Sequence, residues 1–273
     1  MTEQNSSVSS PVDGLPSRKS GAWIRRKYFF LERYMHIFTQ GMDKKWQGEL
    51  NYVDLFAGPG RCYISKEQVE VDGSTLMSLG FPFRKYFFVE MDTINLDSLK
   101  QHCGKSPKLN SIEFLMGDCN AVVDQIKPSG LTLAFIDPTG IDIHFQTIQS
   151  LTEGRKVDLL MSIMDGIDIR RNFDRYLKTP EGGPLDRFLG GNVDWSRIKN
   201  PRDVVEEFRN RLRKLGYKTV EFTDIPISNE KNAPMYFMLF ASRHPRGLDF
   251  WKKIAAVDDH GQMEFGLGEV HDE

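Results

Sequence analysis

What this sequence lacks narrows its function before any motif is considered. Cysteine is scarce: Cys62, Cys103 and Cys119 are the only three in 273 residues, and they lie far apart. With no CxxC pair, the chain lacks the ligand spacing of a structural zinc site, and reduced, buried thiols are expected. His36, His102, His144 and His244 show no metal-ligand spacing on any one element, so no metal is assigned. No apolar run approaches the roughly 18 residues of a membrane span. The first residues are polar and rich in Ser, Pro and Gly, without the apolar centre of a signal peptide. They predict a disordered tail over residues 1–21 of a cytoplasmic protein with no membrane role. An excess of charge is also missing. Lys and Arg number 36 against 38 Asp and Glu, for a net charge of −2, which argues against a dedicated nonspecific nucleic-acid binder. The run from Arg197 to Lys214 is locally basic and is read as the solvated face of a helix. There is no internal repeat.

What is present is an alternation of short apolar strands with helices. Leu50–Phe56, Tyr86–Val89, Ile112–Met116, Leu131–Ile136 and Val157–Ile163 are continuous runs of the kind that suit strands covered on both faces. A helix over Trp23–Gln40 precedes them, with Ile24, Tyr28, Leu31, Met35 and Phe38 on one face and Arg25, Arg26, Lys27, Glu32 and Arg33 filling the remainder. Thr93–Cys103, Asn120–Ile126 and Phe145–Thr152 supply the crossover helices. This pattern predicts a mostly parallel, doubly wound α/β sheet in a single domain over 22–273. A Gly- and Pro-rich stretch at about 165–200 is read as an insertion facing substrate or partner. Then follow a helix with Asn200 as N-cap and Gly216 past its end, and two strands, Thr219–Phe222 and Met235–Ala241. The link between these two is too short for a crossover helix, so they are expected to be antiparallel.

The stretch Asp54-Leu55-Phe56-Ala57-Gly58-Pro59-Gly60 runs from the first strand into a tight turn. A dinucleotide site would want a third glycine, where this chain has Tyr63. S-adenosylmethionine carries no phosphate, and its methionine end needs only a close backbone turn and nearby carboxylates. The turn matches the first motif of methyltransferases that use it. Glu90 and Met91 end the second strand, and a carboxylate there suits ribose hydroxyls. Asp118 and Cys119 end the third, where methyltransferases meet the adenine amino group with an acidic side chain and its neighbour's N–H. Asp92 and Asp118 are equally placed to cap helices. The fourth strand ends in Asp137-Pro138-Thr139-Gly140, similar to the motif with which amino-methyltransferases hold a target amine, except that the aromatic position is Gly140. Ligands of open α/β sheets sit at the carboxyl ends of the strands, where Asp54, Glu90, Asp118 and Asp137 all fall.

Several segments together resemble the three-Cys-motif partner protein (TcmP) family. These are Lys27…Leu31-Glu32-Arg33-Tyr34, the Asp54–Gly60 turn, Phe135–Gly140, Arg155–Leu160, Phe188-Leu189-Gly190…Trp195 and Met238–Pro245…Trp251. The resemblance implies a bacterial protein with the class I methyltransferase-like Rossmann fold. That fold is a mostly parallel seven-stranded sheet of order 3-2-1-4-5-7-6 with an antiparallel last strand and helices on both faces. The methyltransferase motifs at the strand ends make S-adenosylmethionine the expected cofactor, held by Asp54, Ala57, Gly58, Gly60, Glu90, Met91, Asp118 and Cys119. Asp137 and Pro138 are the expected catalytic pair, acting on an exocyclic amine of a DNA or RNA base, with Arg170 and Arg171 on the substrate side. The named partner is a radical-SAM-type protein that carries the three-cysteine motif itself. A non-catalytic accessory protein serving that partner is the alternative, and Gly140 motivates it.

Overall fold

The five apolar runs that begin at Leu50 do fold as neighbouring parallel strands. The computed structural model describes residues 7–219 and 224–256. Its strands are β1 (Ser7–Ser9), β2 (Pro16–Ser20), β3 (Leu50–Asp54), β4 (Arg61–Ile64), β5 (Val69–Asp72), β6 (Lys85–Glu90), β7 (Ile112–Met116), β8 (Leu131–Ile136), β9 (Lys156–Ile163), β10 (Lys218–Thr219), β11 (Ile225–Ser228) and β12 (Pro234–Ser242). The helices are α1 (Ile24–Trp46), α2 (Ser74–Ser78), α3 (Thr93–Cys103), α4 (Cys119–Val122), α5 (Phe145–Thr152), α6 (Arg170–Tyr176), α7 (Pro184–Leu189), α8 (Pro201–Lys214) and α9 (Pro245–Ala255). Among the described residues, no helix is long and apolar enough to cross a membrane.

The large sheet has the order β10-β12-β9-β8-β3-β6-β7, with β11 also on β12. Contacts from β9 through β7 are parallel, and β12 runs antiparallel to both β9 and β10. This is the order of the class I methyltransferase fold. Every residue of β3 and β8 is buried, because helices cover both faces. The two faces hold two separate apolar clusters, and β3 alternates between them. Leu50 and Tyr52 join Tyr34, Phe38, Phe240 and Trp251 beneath α1 and α9. Val53 packs on the other face with Phe145, Phe188 and Phe208 of α5, α7 and α8. The Phe188 and Phe208 rings stack at 4.5 Å.

Local signals set several boundaries. Asn200 caps α8 in a reciprocal box with Asp203, and Pro201 opens its first turn. Gly216, at φ +84°, ends it. α1 runs past the expected Gln40 to Trp46 and stops at Gln47, which is left-handed. The expected Asn120–Ile126 helix is instead one turn of α4 followed by a 3₁₀ turn. Of the expected strand Thr219–Phe222, only its first residue lies among those described. β11 lies in the connection that is too short for a crossover helix and pairs antiparallel with β12.

The largest departure concerns the expected tail. Residues 7–20 are not disordered: β1 and β2 pair antiparallel, and β2 pairs parallel with β4, building a second sheet of order β1-β2-β4-β5. Polar strands of three to five residues give no apolar periodicity, and their partner lies some forty residues away. Side chains reinforce the sheet. Ser98 donates to the Pro16 carbonyl at 3.1 Å, His102 Nε2 meets Asp13 at 3.0 Å, and Ser10 donates to Glu70 at 3.0 Å.

One buried carboxylate ties α1 to the sheet. Asp158 of β9 accepts from Tyr34 at 3.0 Å and from Ser242 of β12 at 2.6 Å. Burial pushes its pKa up to about 6, against the lowering effect of those two hydroxyls. A raised folded-state value means that the folded chain binds the proton more tightly than the unfolded one. The resulting stability is present below about pH 4 and is lost as pH rises to about 6. An Asp158→Asn variant, which keeps the shape without the charge, is expected to remove up to about 3 kcal/mol of that dependence. Urea midpoints of both proteins across this range check it.

Candidate active site

A cavity of about 420 Å³ opens at the carboxyl ends of β3, β6, β7 and β8. Its floor is the turn after β3. Gly58 and Gly60 sit at φ +65° and +95°, values that L side chains rarely adopt. A Cβ on Gly60 would also crowd Leu99 at 3.1 Å and His102 at 3.2 Å, adding to the strain of its φ. A Cβ on Gly58 would meet nothing within 4 Å, since it faces open space. Ala57 N–H donates to the Val89 carbonyl at 2.9 Å, fastening the turn to β6.

Glu90 is half-buried at the end of β6. Its Oε2 accepts from Gly58 N at 2.7 Å and its Oε1 from Asp92 N at 2.9 Å. Both oxygens are thereby fixed, and each retains a lone pair for a further donor. Beside it, Met91 and Ile94 line the cavity and are 67% and 66% exposed, an apolar stretch of its wall. Asp118 caps α4 through Asn120 N at 2.9 Å and also lines the cavity, next to Cys119. Burial pushes the Cys119 thiol up to about 12, which keeps it neutral. Asp92 caps α3 through Asn95 N.

The structure thus brings Gly58, Glu90, Met91, Asp118, Cys119 and Asp137 around one cavity, and sets others apart. Asp54 lies beneath the turn, fully buried. Its Oδ1 accepts from Phe56 N at 3.1 Å and its Oδ2 from Ser74 at 2.6 Å, so it braces the turn from below. Burial raises its pKa to about 6. Ala57 and Gly60 face a small void of about 10 Å³ under the same turn. Arg170 pairs with Asp165 at 2.6 Å, while Arg171 lines a different cavity. Sequence reasoning missed Ser7, Arg18, Asn95 and Asp142 of the cavity wall.

Asp137 ends β8 at the junction of the large cavity and a narrow throat of about 30 Å³. Its Oδ2 accepts from Lys27 Nζ, and Arg18 Nη1 stands 3.9 Å away. Burial alone would raise its pKa; the charges of Lys27 and Arg18 and the lysine hydrogen bond outweigh this and hold it below the usual carboxylate range. Asp137 Oδ1 is buried and makes no well-formed hydrogen bond; the Ser162 hydroxyl, itself without another partner, stands close enough to help lower the carboxylate's pKa. Across the throat, Tyr236 is buried and its hydroxyl has no partner. Lys27 Nζ lies 5.3 Å from the Tyr28 ring centre and 5.6 Å from that of Tyr236. Lys27 is therefore not part of the polar face of α1: it is 4% exposed. The series Ile24, Lys27, Leu31, Tyr34 and Phe38, spaced three and four apart, carried that signal, because it sets a lysine on the apolar stripe.

The missing aromatic at position 140 has a steric cause. A Cβ there would fall 2.5 Å from Asp168 Oδ2, which accepts from Ile141 N at 2.8 Å. Aromatic rings come instead from other elements, with Trp23 and Tyr236 lining the throat.

No family model and no curated protein matches the chain. Solved structures do. The O-methyltransferase TomG from Streptomyces achromogenes, solved with SAM, is similar at 11% identity over 78% of this chain and 79% of that one, with a TM-score of 0.44. TYW2 from M. jannaschii, solved with AdoMet, is similar at 12% identity over 71% and 69%, TM-score 0.40. The methyltransferase domain of bacterial CtHen1 is similar at 11% identity over 78% and 99%, TM-score 0.43. The strand order, not these likenesses, defines the fold, and function is read from the site.

Proposed function

We propose that the protein is an S-adenosylmethionine-dependent methyltransferase. The observation that carries this reading is one cavity whose wall joins Glu90, the Gly58 turn and Asp118–Cys119 to Asp137 at its inner end. The residues fit the cofactor. Glu90 has fixed oxygens with lone pairs for ribose hydroxyls, the exposed Met91 and Ile94 suit the faces of adenine, and Gly58 leaves room above the turn. Asp118 and Cys119 suit the adenine edge. When bound, S-adenosylmethionine supplies an electrophilic methyl group. Asp137 Oδ1, ionised and without a well-formed hydrogen bond, has a lone pair suited to accept from an acceptor N–H and orient the acceptor nitrogen. An exocyclic amine on a nucleobase is the acceptor we propose, with Pro138 fixing the strand end and Trp23 offering the ring surface that Gly140 cannot.

The TcmP reading, with a three-Cys-motif partner, is supported by where its motif residues meet. Lys27 and Asp137 form the buried pair, and Tyr34, Asp158 and Trp251 pack together with Phe240. An accessory role is favoured by one observation: Lys27 already occupies Asp137 Oδ2. The deciding experiment supplies methyl-labelled S-adenosylmethionine with fractionated small molecules, RNA, DNA and protein. Label is expected in one fraction with the wild type, and on the order of a hundredfold less with Asp137→Asn of unchanged circular dichroism. If cofactor binds and no fraction takes label, the accessory role stands instead.

A further inference from the structure

Beyond the throat lies a second cavity, of about 490 Å³, which takes no part in the cofactor pocket. Lys19, Ser20, Trp23 and Ile167 line both the throat and this outer cavity, so the two spaces share one wall leading to Asp137. Trp23 is half-buried and lies against Gly21, where a Cβ would come within 1.9 Å of the indole. The glycine thus leaves room for the ring, which lines the cavity. Among the described residues neither Lys19 nor Arg171 pairs with a carboxylate, whereas Lys66 on the same rim is paired with Glu230 at 2.7 Å. The outer cavity therefore offers a ring surface and two uncompensated cations. The throat offers Tyr236 OH, buried without a partner, and Asp137 Oδ1, buried without a well-formed hydrogen bond, both of which a reacting group would satisfy.

We infer that the outer cavity is the acceptor site, and that it takes a single planar ring carrying a phosphate, of mononucleotide size. The inference rests on the methyltransferase reading and names its substrate class. The ring lies on Trp23, the phosphate meets Lys19 and Arg171, and the nucleophilic heteroatom enters the throat. A nucleic-acid strand fits less well. It needs a track of free cations, and three arginines of α8 are taken up internally: Arg209 pairs with Asp224, Arg211 with Glu207 at 2.6 Å, and Arg213 with Glu206 at 2.7 Å. The net charge of −2 points the same way.

The test is calorimetric, on the full chain saturated with S-adenosylhomocysteine. The probes are AMP, GMP, CMP and UMP, their parent nucleosides, and a single-stranded RNA oligonucleotide. At least one monophosphate is expected to bind tenfold to a hundredfold more tightly than its nucleoside, as two charge-assisted contacts provide. A Lys19→Ala/Arg171→Ala variant is expected to erase that preference and leave the S-adenosylhomocysteine affinity unchanged. The inference is overturned if no monophosphate binds, if monophosphate and nucleoside bind alike, or if the double variant keeps the preference. An oligonucleotide that binds far more tightly than any monophosphate, with a steep salt dependence, also overturns it. Because S-adenosylhomocysteine binding is measured in every arm, failure here is distinct from failure of the methyltransferase reading.

Discussion

A Lys27→Met variant loses about 3 kcal/mol of stability, measured as a lower urea midpoint at unchanged slope. Methionine fills the same volume on the apolar stripe of α1, so packing is nearly conserved and the loss is electrostatic. What remains is a buried Asp137 whose Oδ2 has lost its hydrogen-bond donor and whose Oδ1 has no well-formed hydrogen bond, only the nearby Ser162 hydroxyl. Arg18, 3.9 Å away, supplies partial compensation and keeps the effect near the lower end for a broken buried pair. The pH dependence identifies the cause. The Asp137 pKa is depressed in the folded state, so the pair stabilises above the ordinary carboxylate range and its contribution is lost as pH falls through the folded value. The gap between wild type and variant therefore narrows on acidification. Combining Lys27→Met with Asp137→Asn removes the orphaned charge and is expected to recover most of the loss. A gap that persists unchanged at low pH would assign the effect to packing.

Gly58→Leu abolishes cofactor binding, with an affinity loss of at least about a hundredfold, because a ligand pocket of this kind buries most of its ligand. Two effects act together. The residue stands at φ +65°, which costs a side-chain-bearing residue about 1–2 kcal/mol. A leucine there also extends into the open space above the turn. Gly58→Ala separates the two, since it carries the conformational cost with a side chain too small to fill the cavity. Both variants are expected to fold, because a Cβ at 58 meets nothing within 4 Å. Titration with S-adenosylhomocysteine is expected to show weakened binding for alanine and none for leucine. Equal affinities for all three proteins would place the cofactor elsewhere.

The parallel sheet was legible because its central strands β3, β8 and β9 are buried on both faces and carry continuous apolar runs that suit a covered sheet. Glu90, Asp118 and Asp137 were legible for the same reason, since a strand read correctly locates its own carboxyl end. Asp54 shows the limit of that logic. It stands at a strand end as they do, yet its Oδ1 turns back to Phe56 N, an Asx-type turn that points the carboxylate beneath the chain. The hydroxyl that completes its burial belongs to Ser74, twenty residues away. The sheet that carries Arg18 to Asp137 was hidden for a related cause. β2 is short and polar, and its stability comes from parallel pairing with β4, a nonlocal partner that composition does not reveal. Lys27 was visible as a lysine on an apolar helical stripe, but its partner depended on where β8 ends. The polar groups around the throat at Asp137 are thus contributed by elements that local pattern reports least well.

The most direct measurement is a calorimetric titration of the wild-type chain with S-adenosylhomocysteine, repeated with Glu90→Ala. The account predicts saturable binding at one site per chain, weakened on the order of tenfold or more in the variant, where a charged hydrogen-bond acceptor for ribose is removed. Absence of binding by the wild type, or equal binding by the two proteins, would contradict it.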